Sequence, residues 1–193
     1  HANKVIHRDI KPQNLLLDSN YDLHIADFGV SHSCTSTSDL LNKSAGSPAF
    51  LAPECLHEDV NTYSGRPIDI WAMGVTLYCF MFGKVPFTGA NILDLHDNIQ
   101  QAEPDYGQLD SNLVDLLKGM LRKSPAERLT MREVRNHPWI TTQGTEPIQI
   151  TEEANTIPVD VNEAEIDDAL NTVNCHDLPS PNGRCRQMSV LLK

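Results

Sequence analysis

Several features are scarce in this chain of 193 residues, and each scarcity excludes something. No apolar run approaches the roughly 20 residues a membrane-spanning helix requires. No secretory leader opens the chain, because Lys4, Arg8 and Asp9 fall within the first ten residues and no apolar stretch accompanies them. Methionine is missing from the first position, so a fragment or a trimmed chain is expected. The five cysteines (34, 55, 79, 175 and 185) are odd in number and show no CxxC spacing. That argues against a zinc centre and against a disulfide framework, and makes a reducing compartment, cytoplasmic or also nuclear, the expectation. Positive charge is also short: the formal net charge is −11. A nucleic-acid binder would carry a basic face, and docking on anionic lipid needs one too, so neither partner is expected.

The shortage of bases is uneven. Residues 1–140 hold 12 Lys and Arg against 17 Asp and Glu, whereas residues 141–183 hold nine acids and no Lys or Arg. The second stretch is also rich in Thr, Asn and Pro. The division predicted is a folded domain over 1–140 and an acidic, disordered tail over 141–193. Within the tail, residues 161–173 could form one acidic helix, with Ile166, Leu170 and Val173 on one face.

Within residues 1–140, Leu15-Leu16-Leu17, a polar Asp18-Ser19-Asn20 and then residues 21–26 read as a short hairpin. Residues 30–53 are rich in Ser and Thr and contain Gly46, Pro48 and Pro53, which predicts a long loop. Residues 68–82 are apolar on nearly all sides, the pattern of a buried helix, closed by Gly83. A more polar helix is expected over 91–101. An amphipathic one follows over 111–122, with Ser111 as its N-cap. A short helix over 130–136 should start with a capping box formed by Thr130 and Glu133. The fold class expected is mainly α with one small β-hairpin.

The residues that carry chemistry fall in order. His7-Arg8-Asp9 is followed by Lys11 and Asn14, then by Asp27-Phe28-Gly29, then by Ala52-Pro53-Glu54. Each tripeptide alone is weak evidence. HRDxKxxN, a hairpin, DFG and APE in this order are specific, and the set resembles the catalytic half of a eukaryotic protein kinase. Lysine two residues after the aspartate is similar to the serine/threonine branch. Residues 26–31 and 46–54 resemble calcium/calmodulin-dependent kinase kinases and the fungal kinases that activate relatives of AMP-activated kinase.

The resemblance implies a division of labour. Asp9 would accept the proton of the substrate hydroxyl, and Lys11 would spread the γ-phosphate charge. Asn14 and Asp27 would hold magnesium on ATP, and Leu16 would lie under the adenine. Hard oxygen ligands of this kind suit Mg²⁺. Arg8, Phe28, Gly29, Ser47, Glu54, Asp69 and Arg128 would support or regulate the site. Glu54 would form a buried pair with Arg128, Asp69 would accept backbone N–H groups of the catalytic loop, and Ser47 would face Asp9 and Lys11. His7 and Phe28 would belong to a stacked apolar column rather than to the chemistry. In many kinases Arg8 would meet a phosphate three residues before Gly46. Lys43 stands there, which argues against activation by phosphorylation at that position, with Ser44 as a neighbouring alternative.

Nothing in the chain resembles the Gly-rich loop, the strand lysine or the helix glutamate of the kinase small lobe. The expectation is therefore a large lobe alone, inactive by itself and with apolar surface uncovered. The partner implied is a protein substrate, itself another kinase by analogy with the upstream kinases. With no base in residues 141–183, calmodulin binding there is not supported. A second class stays open: a non-catalytic interaction module presenting residues 84–122 to partners.

Overall fold

The computed structural model describes residues 1, 4–34, 38–41, 45–57 and 62–146. Of the tail expected over 141–193, residues 141–146 are described, and they form hydrogen-bonded turns with Thr141 buried, which corrects the expectation of disorder from residue 141 onward. Residues 147–193, the helix expected over 161–173, and Lys43 and Ser44 lie outside the described residues.

Three antiparallel sheets of two strands each occur among the described residues. β1 (Val5–Ile6) pairs with β4 (His32–Ser33), β2 (Leu15–Leu17) with β3 (Leu23–Ile25), and β5 (Leu40–Leu41) with β6 (Tyr63–Ser64). The single hairpin expected from the sequence is β2–β3, in the register Leu15 opposite Ile25 and Leu17 opposite Leu23. Its turn is tied by the Asp18 carboxylate, which accepts the N–H groups of Asn20 and Asp22 at 2.7 and 3.0 Å. The other two sheets correct the one-hairpin expectation. Their strands are two residues long and pair across long loops, so no local alternation announces them. Both β4 and β5 fall in the stretch read as loop.

Helices supply the rest. α1 (Gly65–Phe82) runs through the core with Ile68, Ile70, Trp71, Ala72, Val75 and Tyr78 buried. It ends at Gly83, whose φ of 67° is left-handed and lets its N–H reach the Cys79 carbonyl at 2.8 Å. α2 (Ile92–Gln101) is capped by Asn91, whose side chain accepts the N–H groups of Leu93 and Asp94. The cap of α3 (Ser111–Met120) lies one residue earlier than expected. Asp110, not Ser111, accepts the N–H groups of Asn112 and Leu113. Both residue types cap helices well, and the carboxylate sits one position further out. α4 (Met131–Arg135) carries the Thr130–Glu133 capping box.

Packing follows from α1. On one side Trp71 stacks on Phe87 with ring centroids 5.7 Å apart, among Ile6, Leu41, Val75 and Ile99. On another, Ile70 packs with Leu116 and Met120 of α3 and with Val134 of α4. Burying such side chains contributes about 1.5–3 kcal/mol each before entropic costs. The hairpin is less covered. Leu17, Leu23, Ile25 and Phe80 are exposed. An apolar groove of about 250 Å³ runs between the hairpin and α1.

Candidate active site

The loop between β1 and β2 is held from beneath by Asp69 of α1. Its Oδ2 accepts the backbone N–H of His7 at 3.0 Å and its Oδ1 that of Arg8 at 2.8 Å. His1 Nε2 lies 2.7 Å from the same Oδ2. Burial pushes the Asp69 carboxyl up, and the two backbone donors offset part of that rise. Arg8 has a left-handed φ of 69° and its Nε donates to the Val30 carbonyl. The clamp on its N–H supports this sparsely populated backbone.

Asp9 follows and is buried. Its Oδ2 accepts Lys11 Nζ at 2.6 Å and Asn14 Nδ2 at 3.2 Å. Its Oδ1 accepts both the N–H and the hydroxyl of Ser47, each at 3.0 Å. Lys11 Nζ also donates to Ser47 Oγ at 2.9 Å. Burial alone would raise the Asp9 carboxyl, but the Lys11 and Ser47 hydrogen bonds outweigh it and hold the group below its ordinary value. Asp9 is thus an anion at neutral pH, aimed and immobilised by three partners.

Asn14 ends a short 3₁₀ turn over Pro12–Asn14 and donates to the Asp9 carbonyl at 2.9 Å. Its own carbonyl accepts the Ala26 N–H at 2.8 Å, which brings Asn14 beside the start of Asp27-Phe28-Gly29. The hairpin therefore delivers residues 14 and 27 to one open end. Asp27 has a φ of 63° and its Oδ1 accepts the Gly29 N–H at 3.3 Å. An amide oxygen and a carboxylate are donor types that fit a hard cation such as Mg²⁺. The backbone bond between residues 14 and 26 brings the two parts of the chain together, with Asn14 buried and Asp27 exposed. Leu16, on the strand between them, is 41% exposed. Phe28, 53% exposed, meets His7 edge-on at 4.8 Å, and His7 Nε2 lies 3.0 Å from the Ala26 carbonyl.

Below the site, Arg128 grips Glu54 through two nitrogens at 2.7 and 2.8 Å, both side chains buried. Of the residues singled out from the sequence, Lys11, Asn14 and Ser47 thus gather on Asp9, and Asp69, Glu54 and Arg128 form buried bonds in the scaffold. Leu16 lies on β2 and Asp27 just past the end of β3, outside that group on Asp9. Two residues were missed. His1 on Asp69 had no recognisable signal. Asp39, whose side chain reaches the start of α1, sat in a stretch read as plain loop.

The Protein kinase domain family matches residues 1–140. The chain belongs to that family, and its helices and small sheets fit a kinase-like fold. It is 44% identical over 177 residues to a calcium/calmodulin-dependent protein kinase kinase of Caenorhabditis elegans, covering 90% of this chain and 32% of that protein. It is 44% identical over 173 residues to the calcium/calmodulin-dependent protein kinase kinase cmkC of Emericella nidulans, covering 87% and 31%. It is 45% identical over 143 residues to the serine/threonine-protein kinase GRIK2 of Arabidopsis thaliana, covering 72% and 35%. The chain spans about a third of the length of the curated relatives it matches. The serine/threonine branch and the calcium/calmodulin-dependent kinase kinase resemblance read from the motifs agree with these relatives. Kinases of this family use ATP and Mg²⁺ and act on protein substrates.

Proposed function

We propose that residues 1–140 are the large lobe of a serine/threonine protein kinase that transfers the γ-phosphate of Mg-ATP to a protein hydroxyl. One observation carries the reading: a buried carboxylate, Asp9, is bonded at once to Lys11, Asn14 and Ser47. Phosphoryl transfer depends on positioning and charge neutralisation, and this cluster supplies both.

In this reading Asp9 orients the incoming alcohol by accepting its hydrogen bond and takes its proton. A carboxylate offers about four acceptor positions. Lys11, Asn14 and the two Ser47 donors fill them. The alcohol therefore displaces one donor, and the Asn14 contact, at 3.2 Å, is the longest of the four. Lys11 neutralises charge beside the alcohol. Asn14 and Asp27 would hold the metal, which would neutralise phosphate charge when bound. Leu16 offers an apolar surface to the base.

The substrate we assign is another protein kinase, of the kind related to AMP-activated kinase. The names of two relatives, which call them kinases of a protein kinase, support the first part of this. The reading keeps the enzyme cytoplasmic and assigns no calmodulin-binding helix to residues 141–183, which hold no Lys or Arg. The chain alone is inactive in this reading: it carries only one side of a nucleotide pocket, and the exposure of Leu16 and Phe28 supports a missing cover.

The test is to express residues 1–193 alone and with a supplied small lobe, and to follow phosphate transfer to a serine or threonine peptide. Transfer only with the added lobe, abolished by Asp9→Asn, is the expected result. No transfer in either case, with protein binding retained, would favour a non-catalytic interaction module instead.

A further inference from the structure

The segment between Asp27 and Glu54, which carries Ser47 to Asp9, is fastened at several of its described residues. Its beginning is held where β4 pairs with β1, and its end where Arg128 holds Glu54. The middle is held by Asp39. The Asp39 carboxylate accepts the Arg66 N–H at 3.1 Å and the Ser64 hydroxyl, and the Asp39 carbonyl accepts the Gly65 N–H at 2.9 Å. Ser64 occupies the N-cap position of α1, yet its own side chain makes no cap bond. The helix is capped instead by a residue 25 positions upstream of Ser64. Leu40 and Leu41 then continue as β5 against Ser64 and Tyr63, and Leu41 is sealed into the core beside Ile6 and Trp71.

A helix N-terminus presents unpaired N–H groups and partial positive charge, so an anion is favoured there. Loops are often ordered by a phosphate that supplies such an anion. Here the anion is built in. Burial would raise the Asp39 carboxyl, but the Ser64 and Arg66 bonds outweigh that and keep it below its ordinary value, so it stays charged at neutral pH.

We propose that Asp39 is a positioning residue for phosphoryl transfer: its permanent carboxylate, bonded across the start of α1, fastens the segment that carries Ser47 to Asp9. The inference rests on the kinase reading for its catalytic consequence. The tie itself does not, and the two are read separately.

The experiment compares Asp39→Ala, Asp39→Asn and Ser64→Ala in the full chain, by amide exchange and, with the small lobe supplied, by phosphate transfer. Asp39→Ala should speed exchange at Gly65, Arg66 and Ser47 and lower kcat on the order of tenfold to a hundredfold, as misplacement of a reacting group does, with KM for ATP little changed. Asp39→Asn, which keeps the shape and one acceptor oxygen but loses the charge, should recover only part of both readouts. Ser64→Ala, which removes one donor and leaves the Arg66 and Gly65 bonds, should give a smaller change in the same direction. Faster exchange at Gly65 and Arg66 with Ser47 and kcat unchanged would reduce Asp39 to a local helix cap and overturn the proposal. Exchange rising uniformly along the chain would overturn it as well, because the effect would then be global stability. If the unaltered protein transfers no phosphate, the kinase reading fails, and exchange at Ser47 still decides whether the tie exists.

Discussion

Arg128 Nη1 and Nη2 meet the two carboxylate oxygens of Glu54 in a fork that closes a span of 74 residues, deep in the core. The same guanidinium donates to the carbonyls of Pro67, Arg122 and Lys123 and lies over the Trp71 ring at 5.1 Å. Breaking a buried pair by removing one partner costs about 3–5 kcal/mol, because the other charge stays behind unpaired. Glu54→Ala is expected to lower unfolding stability by about that amount in urea titrations. Arg128→Ala should cost more, since it also strands three carbonyls. Arg128→Lys should rescue little, because an ammonium cannot form the two-pronged contact. The double variant Glu54→Ala/Arg128→Ala should fall well short of the sum of the singles.

Ser47 offers a sharper probe of Asp9. Its hydroxyl donates to Asp9 and accepts from Lys11, while its N–H makes a separate bond to Asp9. Ser47→Ala removes the first two and keeps the third. One lost hydrogen bond to a charged group is worth about 1.5–3 kcal/mol, so kcat/KM should drop by roughly ten- to a hundredfold. The sign of the pH effect is fixed as well. The Ser47 hydroxyl bond lowers the Asp9 carboxyl, so its loss lets the carboxyl rise while the N–H bond remains. The acid limb of the pH–rate profile should then move to higher pH. A limb that stays in place would separate Asp9 from the proton being measured.

How much of this was legible beforehand depends on distance along the chain. The β2–β3 hairpin, the apolar run of α1, the Gly83 terminus and the Thr130–Glu133 box are set by neighbours within a few residues, and each was readable. Asp9, Lys11, Asn14 and Asp27 were readable as an ordered motif, because their types and spacings are restrictive together. The sheets β1–β4 and β5–β6 were not. Two-residue strands have no period to detect, and their partners are more than twenty residues away. The same holds for Asp39 and His1: an aspartate among serines and a histidine at the first position resemble any solvated residue until the chain folds them against α1. At α3, Asp110 and Ser111 stood side by side as equally good caps, and only the backbone decided between them.

Burial of Cys55 makes an alkaline test. Its thiol is pushed up from an ordinary 9.0 to about 12, first by burial and then by the Glu54 charge. A group whose folded pKa exceeds its unfolded one contributes stability that is complete below the unfolded value and is lost as pH rises toward the folded value. For Cys55 that window opens near pH 9 and closes near pH 12. By pH 10 the loss from this thiol alone should reach about 1.4 kcal/mol. Tyr78, Cys79 and Tyr106 are shifted in the same direction, so the total slope is not diagnostic. The difference between the parent and Cys55→Ala is. Unfolding free energies of the two proteins from urea titrations should draw together by that amount between about pH 8 and pH 10, and parallel curves would show that the thiol ionises freely in the folded state.

Two glycines with positive φ separate backbone strain from steric conflict. Gly83, at the end of α1, has a φ of 67° and open space where a Cβ would go. Gly83→Ala should therefore cost only the left-handed penalty of about 1–2 kcal/mol. Gly46, at the approach to Ser47, has a φ of 111°, and a Cβ there would lie 2.4 Å from the Arg8 carbonyl and 3.5 Å from Asp9 Oδ1. The approach to Asp9 is an ordinary contact, but the Arg8 carbonyl would have to give way and cannot do so cheaply. The Arg8 backbone is pinned by Asp69, and Asp9 is fixed by Lys11 and Ser47. Any relief must come from moving Gly46 itself, which carries Ser47 away from Asp9. Gly46→Ala should thus destabilise by about 1–3 kcal/mol, the range for a backbone forced into a glycine-only region. Its larger effect should fall on phosphate transfer, by on the order of a hundredfold, because misplacing a positioning group by about 1 Å costs that much. Gly83→Ala should leave transfer unchanged at temperatures where the protein is folded. Equal losses of activity in the two variants would show that Gly46 matters only through stability, and that the contact between Ser47 and Asp9 does not set the rate.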